Sequence, residues 1–469
     1  MSALDAFRLQ YSVLPIHISE VKVHFYSPVF HLPTSTFSVF NSHTMRSSFT
    51  MLAVFISVMI TAPLHAASPQ VASQAPPNIV LIISDDHGFP DYGFMGHPDI
   101  QTPYLDRLAA ESHVYTRGYV STPLCCPSLT TMQTGLYAYQ HGYTGNDPVD
   151  GGDRQPWLDH YKTTPQLPLM LQEKGYLSLH TGKFWQKDPA IAGFTHTMGE
   201  TGRHGSTESL GIGRNGMQPV YDFIDEAQDK QKPFLVWYAP FLPHTPHNPP
   251  ERLLSKYKHL GHSAKYYAMV EWLDETCGEL LGYLKSKGLE ENTVVMFVSD
   301  NGWPGKDKVY PSELGMRTPI TIKWPGKVEP KMDVSNMASN IDLAPTILSI
   351  AGLDAHPMMP GIDLLDFDTV EKRKYVFGDN YHHDMVQADR PEASLRGRVL
   401  VSKQWKLIVW QDKQPDLRMI PWLTRPPADQ VELFNLQLDP FEQTNLATAR
   451  PDLVKALRAE LDAWWTPRE

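Results

Sequence analysis

Two apolar runs in the chain stop abruptly at acidic residues. Residues 78–84 (NIVLIIS) are followed by two aspartates, and residues 294–299 (VVMFVS) are followed by the sequence DNG. Residues 233–238 and 319–324 form two further apolar runs. Continuous apolar runs of this length predict strands that are buried on both faces, as in a parallel sheet. The polar residues after such strands are expected to meet at one edge of the sheet.

Helical patterns separate these strands. Residues 103–111, 219–228 and 266–287 carry apolar positions at helical spacing, with Pro103 at a first position and Gly288 after a last one. Alternating strands and helices predict an α/β fold. We expect a doubly wound, mostly parallel sheet flanked by helices, with a site at the carboxyl edge of its strands.

The pattern changes in the last quarter of the chain. Short strand patterns without intervening helices, and then a closing helix, follow at 398–401, 406–410, 431–435 and 453–464. This order predicts a smaller C-terminal α+β domain with an antiparallel sheet. We therefore place a main domain at 78–365 and the smaller domain at 366–469.

The N-terminal region has the pattern of a secretory signal. Residues 45–67 begin with Met45 and Arg46, continue with an apolar stretch and end in small residues. The apolar stretch is too short for a comfortable membrane span, so we predict a signal peptide at 45–67 after an upstream extension at 1–44. A disordered extension with an anchoring helix is the alternative. A signal peptide predicts export, to the periplasm or the extracellular medium.

The charge balance argues against one class of partner. The 469 residues include 52 acidic and 41 basic side chains, which gives a formal net charge of −11. The basic side chains form no concentrated run. We therefore expect no nucleic-acid partner, because phosphate backbones bind to concentrated positive charge.

The three cysteines are too few for a disulfide framework. Cys277 lies on an apolar helical stripe, so we predict that it packs in the core. Cys125 and Cys126 are adjacent, and a bridge between neighbours is strained. Their thiols are therefore candidates for chemistry or packing.

One motif match is set aside. Residues 211–216 (GIGRNG) fit the dinucleotide-binding pattern of glycines. That pattern binds a pyrophosphate only where it follows a strand and opens a helix, and here it follows a loop rich in Gly, Ser and Thr. We predict no nucleotide site there.

The polar residues after the two acidic strand ends suit a metal ion. Asp85, Asp86, Asp300 and Asn301 offer only oxygen ligands. Oxygen ligands favour a hard cation such as Ca²⁺, with Mg²⁺ as an alternative, over zinc. Each residue by itself could be a helix cap or a turn residue, but together they predict a metal site.

The sequence Cys125-Cys126-Pro127-Ser128, followed by Thr134-Gly135, resembles the signature of the type I sulfatases of the alkaline-phosphatase-like superfamily. That signature reads Cys-x-Pro-Ser-Arg, four residues, then Thr-Gly. The resemblance makes Cys125 the reactive residue. It implies that a formylglycine-generating enzyme or an equivalent oxidises Cys125 to formylglycine (3-oxoalanine), whose hydrated aldehyde is the nucleophile.

Further segments resemble the same family in the same order. They are Gly182-Lys183, Pro243-His244-Thr245-Pro246, Lys308, residues 313–319 and residues 432–447. The resemblance implies that Lys183, His244 and Lys308 act with Cys125 in catalysis. It also implies a metal site formed by Asp85, Asp86, Cys125, Asp300 and Asn301.

Two positions depart from the family pattern. Leu129 stands where the family has arginine, and Trp185 stands where it has histidine. His87 or His180 could act as replacements in a rearranged sulfatase site. The alternatives are a phosphodiester or phosphonate monoester hydrolase on the same scaffold, and a degenerate protein that binds sulfated glycans without turnover. The retained lysines, His244 and metal ligands favour an enzyme.

Export and a sulfatase scaffold together point to sulfated carbohydrates or polysaccharides as substrates. We expect specificity in the loops at 203–214 and 379–390 and at His247. We predict that the sugar contacts are His247, His382, His383 and Arg390. The alternative is that these are ordinary polar residues of surface loops.

Overall fold

The computed structural model describes residues 76–199, 204–303, 308–411 and 430–468. The predicted extension at 1–44, the predicted signal peptide at 45–67 and Arg203 lie outside these residues. The strands of the main sheet are β1 (Asn78–Ser84), β2 (His113–Tyr119), β4 (Leu177–His180), β5 (Phe234–Tyr238), β6 (Thr293–Ser299), β7 (Arg317–Lys323) and β8 (Lys331–Ser339), and β3 (Asp147–Pro148) and β10 (Asp384–Met385) form a separate short pair.

The seven strands of the main sheet follow the order β4-β5-β1-β6-β7-β2-β8. β4, β5, β1 and β6 run parallel to one another, and β8 runs parallel to β2. β7 is antiparallel to both of its neighbours, β6 and β2. The predicted α/β fold with a mostly parallel sheet is therefore confirmed, with one reversed strand that the apolar run at 319–324 did not reveal.

Helices cover both faces of this sheet. The α-helices span Pro103–Ala110, Cys125–Thr134, Ala138–His141, Gln155–Tyr161, Leu167–Leu171, Thr207–Leu210, Gln218–Asp229, Glu251–Tyr257, Ala264–Ser286, Glu313–Met316, Leu343–Ile350, Phe367–Lys372 and Pro451–Trp464. The three long helices predicted between the strands agree with these bounds to within two residues. In the part of the chain that the structure describes, no helix has both the length and the apolar character to cross a membrane.

The core has two halves, one on each side of the main sheet. Alternate residues of β1 point to opposite faces, so Ile79 packs in one half and Val80 in the other. The first half includes residues of the helices Cys125–Thr134 and Leu343–Ile350. The second includes Cys277 of the long helix Ala264–Ser286, which is fully buried as predicted.

A second sheet of four antiparallel strands lies at the C-terminal end of the chain. Its order is β13-β12-β11-β9, formed by β9 (Tyr375–Tyr381), β11 (Leu395–Ser402), β12 (Trp405–Trp410) and β13 (Val431–Asn435). The helix Pro451–Trp464 packs on it through Leu457 and Leu461. The predicted C-terminal antiparallel sheet is confirmed, and the domain bounds 78–365 and 366–469 stay predictions.

Candidate active site

The carboxyl edge of the parallel strands gathers the predicted catalytic side chains. β1 leads to Asp85 and Asp86, and β6 leads to Asp300 and Asn301. Lys183 follows β4, and its Nζ atom lies 2.8 Å from each carboxylate oxygen of Asp85. Because these strands run in one direction, residues far apart in the sequence meet at one edge.

Cys125 lies at the start of a helix that follows strand β2. The segment after β2 crosses to the same edge, and Cys125 is the first residue of the helix Cys125–Thr134. Its Sγ atom is 3.5 Å from Lys183 Nζ, and its side chain is buried. The N-terminal end of a helix carries partial positive charge, so this position favours a negatively charged group at Cys125.

The helix start is fixed by amide side chains. Asn146 Oδ1 accepts a hydrogen bond from the backbone N–H of Cys126 at 3.0 Å. Asn340 Nδ2 donates to Ser128 Oγ at 3.0 Å, while Asn340 Oδ1 accepts from the backbone of Ser121. The motif serine, Ser128, therefore anchors the helix that carries Cys125.

The carboxylates beside Cys125 form a group that could hold a cation. Ligand atoms of Asp85, Asp86 and Cys125 lie within 4.8 Å of one another. Asp300 Oδ2 and Asn301 Oδ1 are buried and have no hydrogen-bond partner among the described residues. Buried oxygen atoms are normally satisfied, so these two fit a metal ion that binds oxygen ligands.

Asp86 is held in position by bonds from several directions. Its backbone φ of 59° lies in the left-handed region, which aspartate tolerates better than most residues. Asn301 Nδ2 donates to Asp86 Oδ1 at 2.7 Å, and Lys308 Nζ lies 2.8 Å from Asp86 Oδ2. Burial opposes ionisation of Asp86, but Lys308 and His244 outweigh it and hold its pKa well below the ordinary value.

Burial also changes the pKa values of Cys125 and Asp300. Burial raises the pKa of the Cys125 thiol far above its ordinary value, although Lys183 and Lys308 act in the opposite direction. Burial also raises the pKa of Asp300 well above its ordinary value, with repulsion from Asp85 in the same direction. Before a cation binds, this site therefore holds Cys125 as a neutral thiol and disfavours a charged Asp300.

His244 faces the charged side of the site. Its Nε2 atom is 3.4 Å from Lys308 Nζ and 3.5 Å from Asp86 Oδ2. Burial lowers the pKa of His244 to about 4, and the charge of Lys183 acts in the same direction. The imidazole is therefore neutral at neutral pH. We call Asp86, Lys308 and His244 the charged wall.

Backbone shape sets the position of Lys183. Gly182, which precedes it, has a φ of 84°. A Cβ atom there would lie 1.8 Å from the carbonyl oxygen of Ala239, so only glycine fits. The chain turns at Gly182 toward Cys125, and the Lys183 ammonium lies 4.8 Å from the centre of the Phe241 ring.

Leu129 and Trp185 lie on an apolar side of the site, which we call the apolar wall. Leu129 is 4% exposed and lines one small cavity together with Asp85, Lys183 and Asp300. Trp185 is 3% exposed, and its ring centre lies 5.7 Å from Lys183 Nζ. Neither side chain donates a hydrogen bond there, because leucine has no donor and Trp185 Nε1 has no partner among the described residues.

The two histidines considered as replacements lie in other environments. His180 is fully buried among Phe184, Phe194 and Trp237, and burial lowers its pKa to about 3. His87 stacks on a tyrosine ring, and its Nε2 lies 2.9 Å from the carbonyl oxygen of Asp91. These contacts do not support a role for either ring in place of the missing arginine or histidine.

The residues predicted to contact sugar differ in burial and in local contacts. His247 is close to the charged wall and packs against Tyr266 and Trp303. His382 is buried, and Arg390 is exposed before a short 3₁₀ turn. His383 lies 2.7 Å from Asp384 and 3.3 Å from Asn146, the residue that bonds the Cys126 amide. Their roles as sugar contacts stay predictions.

The expectation of a specificity loop at 379–390 needs one correction. Asp379 belongs to strand β9 and is fully buried. It accepts hydrogen bonds from Thr122 Oγ1 and, at 3.0 Å, from Tyr381 Oη. Asp379 therefore supports the segment that leads to Cys125 and does not face a substrate.

Two residues that the sequence did not single out are part of the site. The Phe241 ring stacks on the His244 ring with 4.3 Å between their centres. The Arg214 guanidinium lies 5.5 Å from the centre of the Phe241 ring. Arg214 ends the loop at 203–214 that we expected to determine specificity, and it also lies inside the glycine motif at 211–216; neither pattern predicted its contact with Phe241.

The comparisons with known proteins identify the family. Residues 77–353 match the family model described as Sulfatase, and residues 300–465 match the one described as N-sulphoglucosamine sulphohydrolase, C-terminal. The chain is 30% identical over 375 residues to N-acetylgalactosamine-6-sulfatase of Canis lupus familiaris, which covers 66% of this chain and 68% of the relative. It is 24% identical over 422 residues to the ulvan-active sulfatase of Formosa agariphila, which covers 82% of this chain and 78% of the relative.

Solved structures share the fold. The PsFucS1 sulfatase from Pseudoalteromonas sp. superposes with a TM-score of 0.63 at 21% identity, covering 82% of this chain and 90% of that one. A protein solved with its substrate D-glucosamine-2-N,6-O-disulfate superposes with a TM-score of 0.63 at 20% identity, covering 83% of this chain and 97% of that one. With the family match over more than half of its length, the chain belongs to the sulfatase family and is a sulfuric ester hydrolase.

Proposed function

We propose that this enzyme is exported and hydrolyses sulfate esters of carbohydrates or polysaccharides, with formylglycine derived from Cys125 as its nucleophile. The observation that carries the proposal is the position of Cys125 at a helix start, 3.5 Å from Lys183 Nζ and beside Asp85 and Asp86. A cysteine with a strongly raised pKa is a poor nucleophile as a thiol. The same position suits a hydrated aldehyde, because the neighbouring cations stabilise the charge that develops there.

Residue 125 and the two lysines have different proposed roles in the reaction. Once oxidised and hydrated by addition of water, the side chain at 125 supplies a hydroxyl that attacks sulfur while the bond from sulfur to the alcohol oxygen breaks. The second hydroxyl then loses its proton, and the carbon–oxygen bond to sulfate breaks as the aldehyde reforms. Lys183 and Lys308 stabilise the negative charge on the sulfuryl oxygens. Both ammonium groups are already fixed by ion pairs with Asp85 and Asp86, so they need little reorganisation when the ester binds.

His244 would protonate the departing alcohol or hold the sulfate group. In the free enzyme its pKa of about 4 makes it neutral, mainly because it is buried. A sulfate ester between Lys183 and Lys308 would bring negative charge that offsets their repulsion of a proton. We therefore expect substrate binding to raise the pKa of His244, which allows Nε2 to donate a proton to the leaving oxygen.

The cation that fits the site is Ca²⁺, with Mg²⁺ as the alternative. Asp85, Asp86, Asp300 and Asn301 would hold it together with the modified residue at 125, and the cation would add positive charge beside the ester. Removal of the cation with EDTA is expected to abolish sulfate release and to lower the melting temperature. Added Ca²⁺ should restore both, whereas full activity in the metal-free enzyme would contradict the proposed ligand set.

The apolar wall is the one observation that favours a protein that binds without turnover. Leu129 removes a cation that the family places there, and Trp185 removes a titratable ring. The charged wall, Lys183 and the unpartnered oxygens of Asp300 and Asn301 support catalysis instead, because a binding protein has no physical need for them beside Cys125. We therefore rank hydrolysis first.

The names of the relatives support a sulfated carbohydrate as substrate. They include an N-acetylgalactosamine-6-sulfatase and an ulvan-active sulfatase. Such substrates occur outside the cytoplasm, which agrees with the proposed signal peptide at 45–67 and with maturation by a formylglycine-generating enzyme. Among the proposed sugar contacts, His247 interacts electrostatically with Asp86, and His383 contacts Asn146, which bonds the Cys126 amide.

Release of inorganic sulfate across a panel of sulfated polysaccharides and their oligosaccharides tests the function. The enzyme should be produced in a host that makes formylglycine, with Cys125→Ala as the matched inactive control. We expect release from at least one sulfated saccharide and none from the control. Faster hydrolysis of a phosphodiester or phosphonate monoester than of every sulfate ester would support the phosphodiesterase alternative. Saccharide binding without release would support the binding protein.

A further inference from the structure

The glycine motif at 211–216 forms a compact turn between two helices. It follows the helix Thr207–Leu210 and precedes the helix Gln218–Asp229, so no strand leads into it. Gly213 has a φ of 79°, and its backbone N–H donates to the carbonyl of Gly216 at 3.1 Å. A Cβ atom at Gly213 would lie 2.7 Å from Tyr238 Oη. The glycine at this position allows the turn to pack closely against the end of β5, with Arg214 as its next residue.

The Arg214 side chain bonds to the segment that carries His244. Its Nε and Nη2 atoms donate to the carbonyl oxygen of Phe241 at 3.0 and 2.6 Å, and Nη2 also donates to the carbonyl of His244 at 3.0 Å. Nη1 donates to Asn248 Oδ1 at 2.6 Å. One guanidinium group thus holds both ends of the segment 241–244 and the chain beyond it.

The same segment is held through ring contacts. The guanidinium group lies 5.5 Å from the centre of the Phe241 ring and 5.8 Å from that of Trp272. The Phe241 ring in turn stacks on the imidazole of His244 with an angle of 26° between the planes. Arg214 therefore restrains the backbone and the ring on which the imidazole packs.

His244 depends on this support because its imidazole, although largely buried, belongs to a loop whose following residues are open to solvent. The next two residues, Thr245 and Pro246, are exposed. The Nδ1 atom of His244 lies 2.5 Å from the carbonyl of Thr245, within the same loop. The contacts of Nε2 with Asp86 and Lys308 are 3.5 and 3.4 Å long, which are weak restraints by themselves.

We propose that Arg214 is a positioning residue, presented by the glycine turn at 211–216, that holds the His244 imidazole against the charged wall. The inference rests on the proposed function of His244 in sulfate-ester hydrolysis. Arg214 acts through Phe241 and the loop backbone and does not touch the sulfuryl group. The glycines that fit a dinucleotide motif thus serve catalysis through the arginine between them.

A double-mutant cycle of Arg214→Ala and His244→Ala tests this role. Both kcat and KM are measured with sulfate esters of good and poor leaving alcohols. We expect Arg214→Ala to lower kcat by about 10- to 100-fold with KM changed less than about threefold, and to show the leaving-group dependence of His244→Ala. In the His244→Ala background, Arg214→Ala should cause little further loss. Arg214→Lys, which can reach one carbonyl, should fall between the wild type and Arg214→Ala.

Two results would overturn the proposal. One is a raised KM with unchanged kcat and full additivity with His244→Ala, because that result assigns Arg214 to direct substrate binding. The other is a kcat of Arg214→Ala equal to that of the wild type. Should Arg214→Ala fail to fold, Arg214→Lys supplies the same cycle.

Hydrogen exchange measures the positioning without turnover. Peptides covering 241–248 should take up deuterium faster in Arg214→Ala than in the wild type. Arg252→Ala removes an exposed arginine that pairs with Glu275 on the surface and serves as the control with unchanged exchange. Equal uptake in Arg214→Ala and the control contradicts the positioning role. A wild-type protein that releases no sulfate would refute the proposed function instead, while the exchange result would still stand.

Discussion

The two sides of the site differ in polarity. The charged wall places Lys308 and His244 around Asp86 through contacts of 2.8 to 3.5 Å. The apolar wall consists of the buried side chains of Leu129 and Trp185. Neither side chain donates a hydrogen bond to another described residue. The difference between the two sides shows that the fixed positive charges of Lys183 and Lys308 are paired with Asp85 and Asp86, while the side chain of Leu129 contributes packing.

The largest effect is expected from substitution of Cys125. Cys125→Ala should lower kcat for sulfate release by at least about 10³-fold, because no other side chain can supply the nucleophile. Cys126→Ala is the matched control. It should retain activity within a fewfold, because the Cys126 contact that fixes the helix uses its backbone N–H. Loss of activity only in Cys126→Ala would show that Cys126, and not Cys125, is the reactive residue.

The charged side is tested by removing its ammonium groups. Lys183→Met and Lys308→Met should each lower kcat by about 10²- to 10³-fold, since each removes a fixed cation from the developing charge. Lys183→Met should also destabilise the fold by about 3 kcal/mol, because it leaves the buried Asp85 without its ion-pair partner. Steady-state kinetics and chemical denaturation separate the two losses. An unchanged free energy of unfolding in Lys183→Met would contradict a stabilising ion pair between Lys183 and Asp85.

The apolar side should respond in the opposite way. Leu129→Ala is expected to cost about 3 kcal/mol of the free energy of unfolding, because it opens a cavity in a fully packed helix, while kcat changes less than about threefold. Leu129→Met is the volume-conserving control and should cost less than about 1.5 kcal/mol. A large loss of kcat in a stable Leu129→Ala protein would show that the leucine has a catalytic role.

A smaller effect is expected in the pH dependence of stability. Burial raises the pKa of Asp379 from 3.8 to about 7, although its hydroxyl donors act in the opposite direction. The folded state therefore binds this proton more tightly than the unfolded state. The stability from Asp379 is complete below its ordinary pKa and is lost as the pH rises through about 7. Asp379→Asn should remove up to one proton from the slope of unfolding free energy against pH in this range, and an unchanged slope would contradict the raised pKa.

Much of the fold was predictable because its central strands carry a local signal. The runs that form β1, β5 and β6 are apolar throughout, and the helices between them have clear ends. β2 and β8 were missed because they mix polar and apolar residues, and their pairing joins residues that are far apart in sequence. The reversed direction of β7 depends on pairing with both neighbours, which a single run of residues does not encode.

The site was predictable where a short motif places the residue and less so where the fold does. Lys183 and His244 lie in motifs that follow strands, so their meeting at one edge could be expected. Arg214 reaches the His244 segment only through tertiary contacts, so the expected specificity loop at 203–214 did not predict a positioning role for it. Asp379 was expected at the start of a specificity loop, but it lies inside a strand, where hydroxyl groups donate to its carboxylate.

The most direct test of the account is the chemical state of residue 125 in active enzyme. Mass spectrometry of the peptide that contains Cys125, from a host that makes formylglycine, should show the aldehyde or its hydrate in place of the thiol. We predict that the modified fraction rises in proportion to the specific activity for sulfate release across preparations. Fully active protein in which Cys125 is entirely an unmodified thiol would contradict the account.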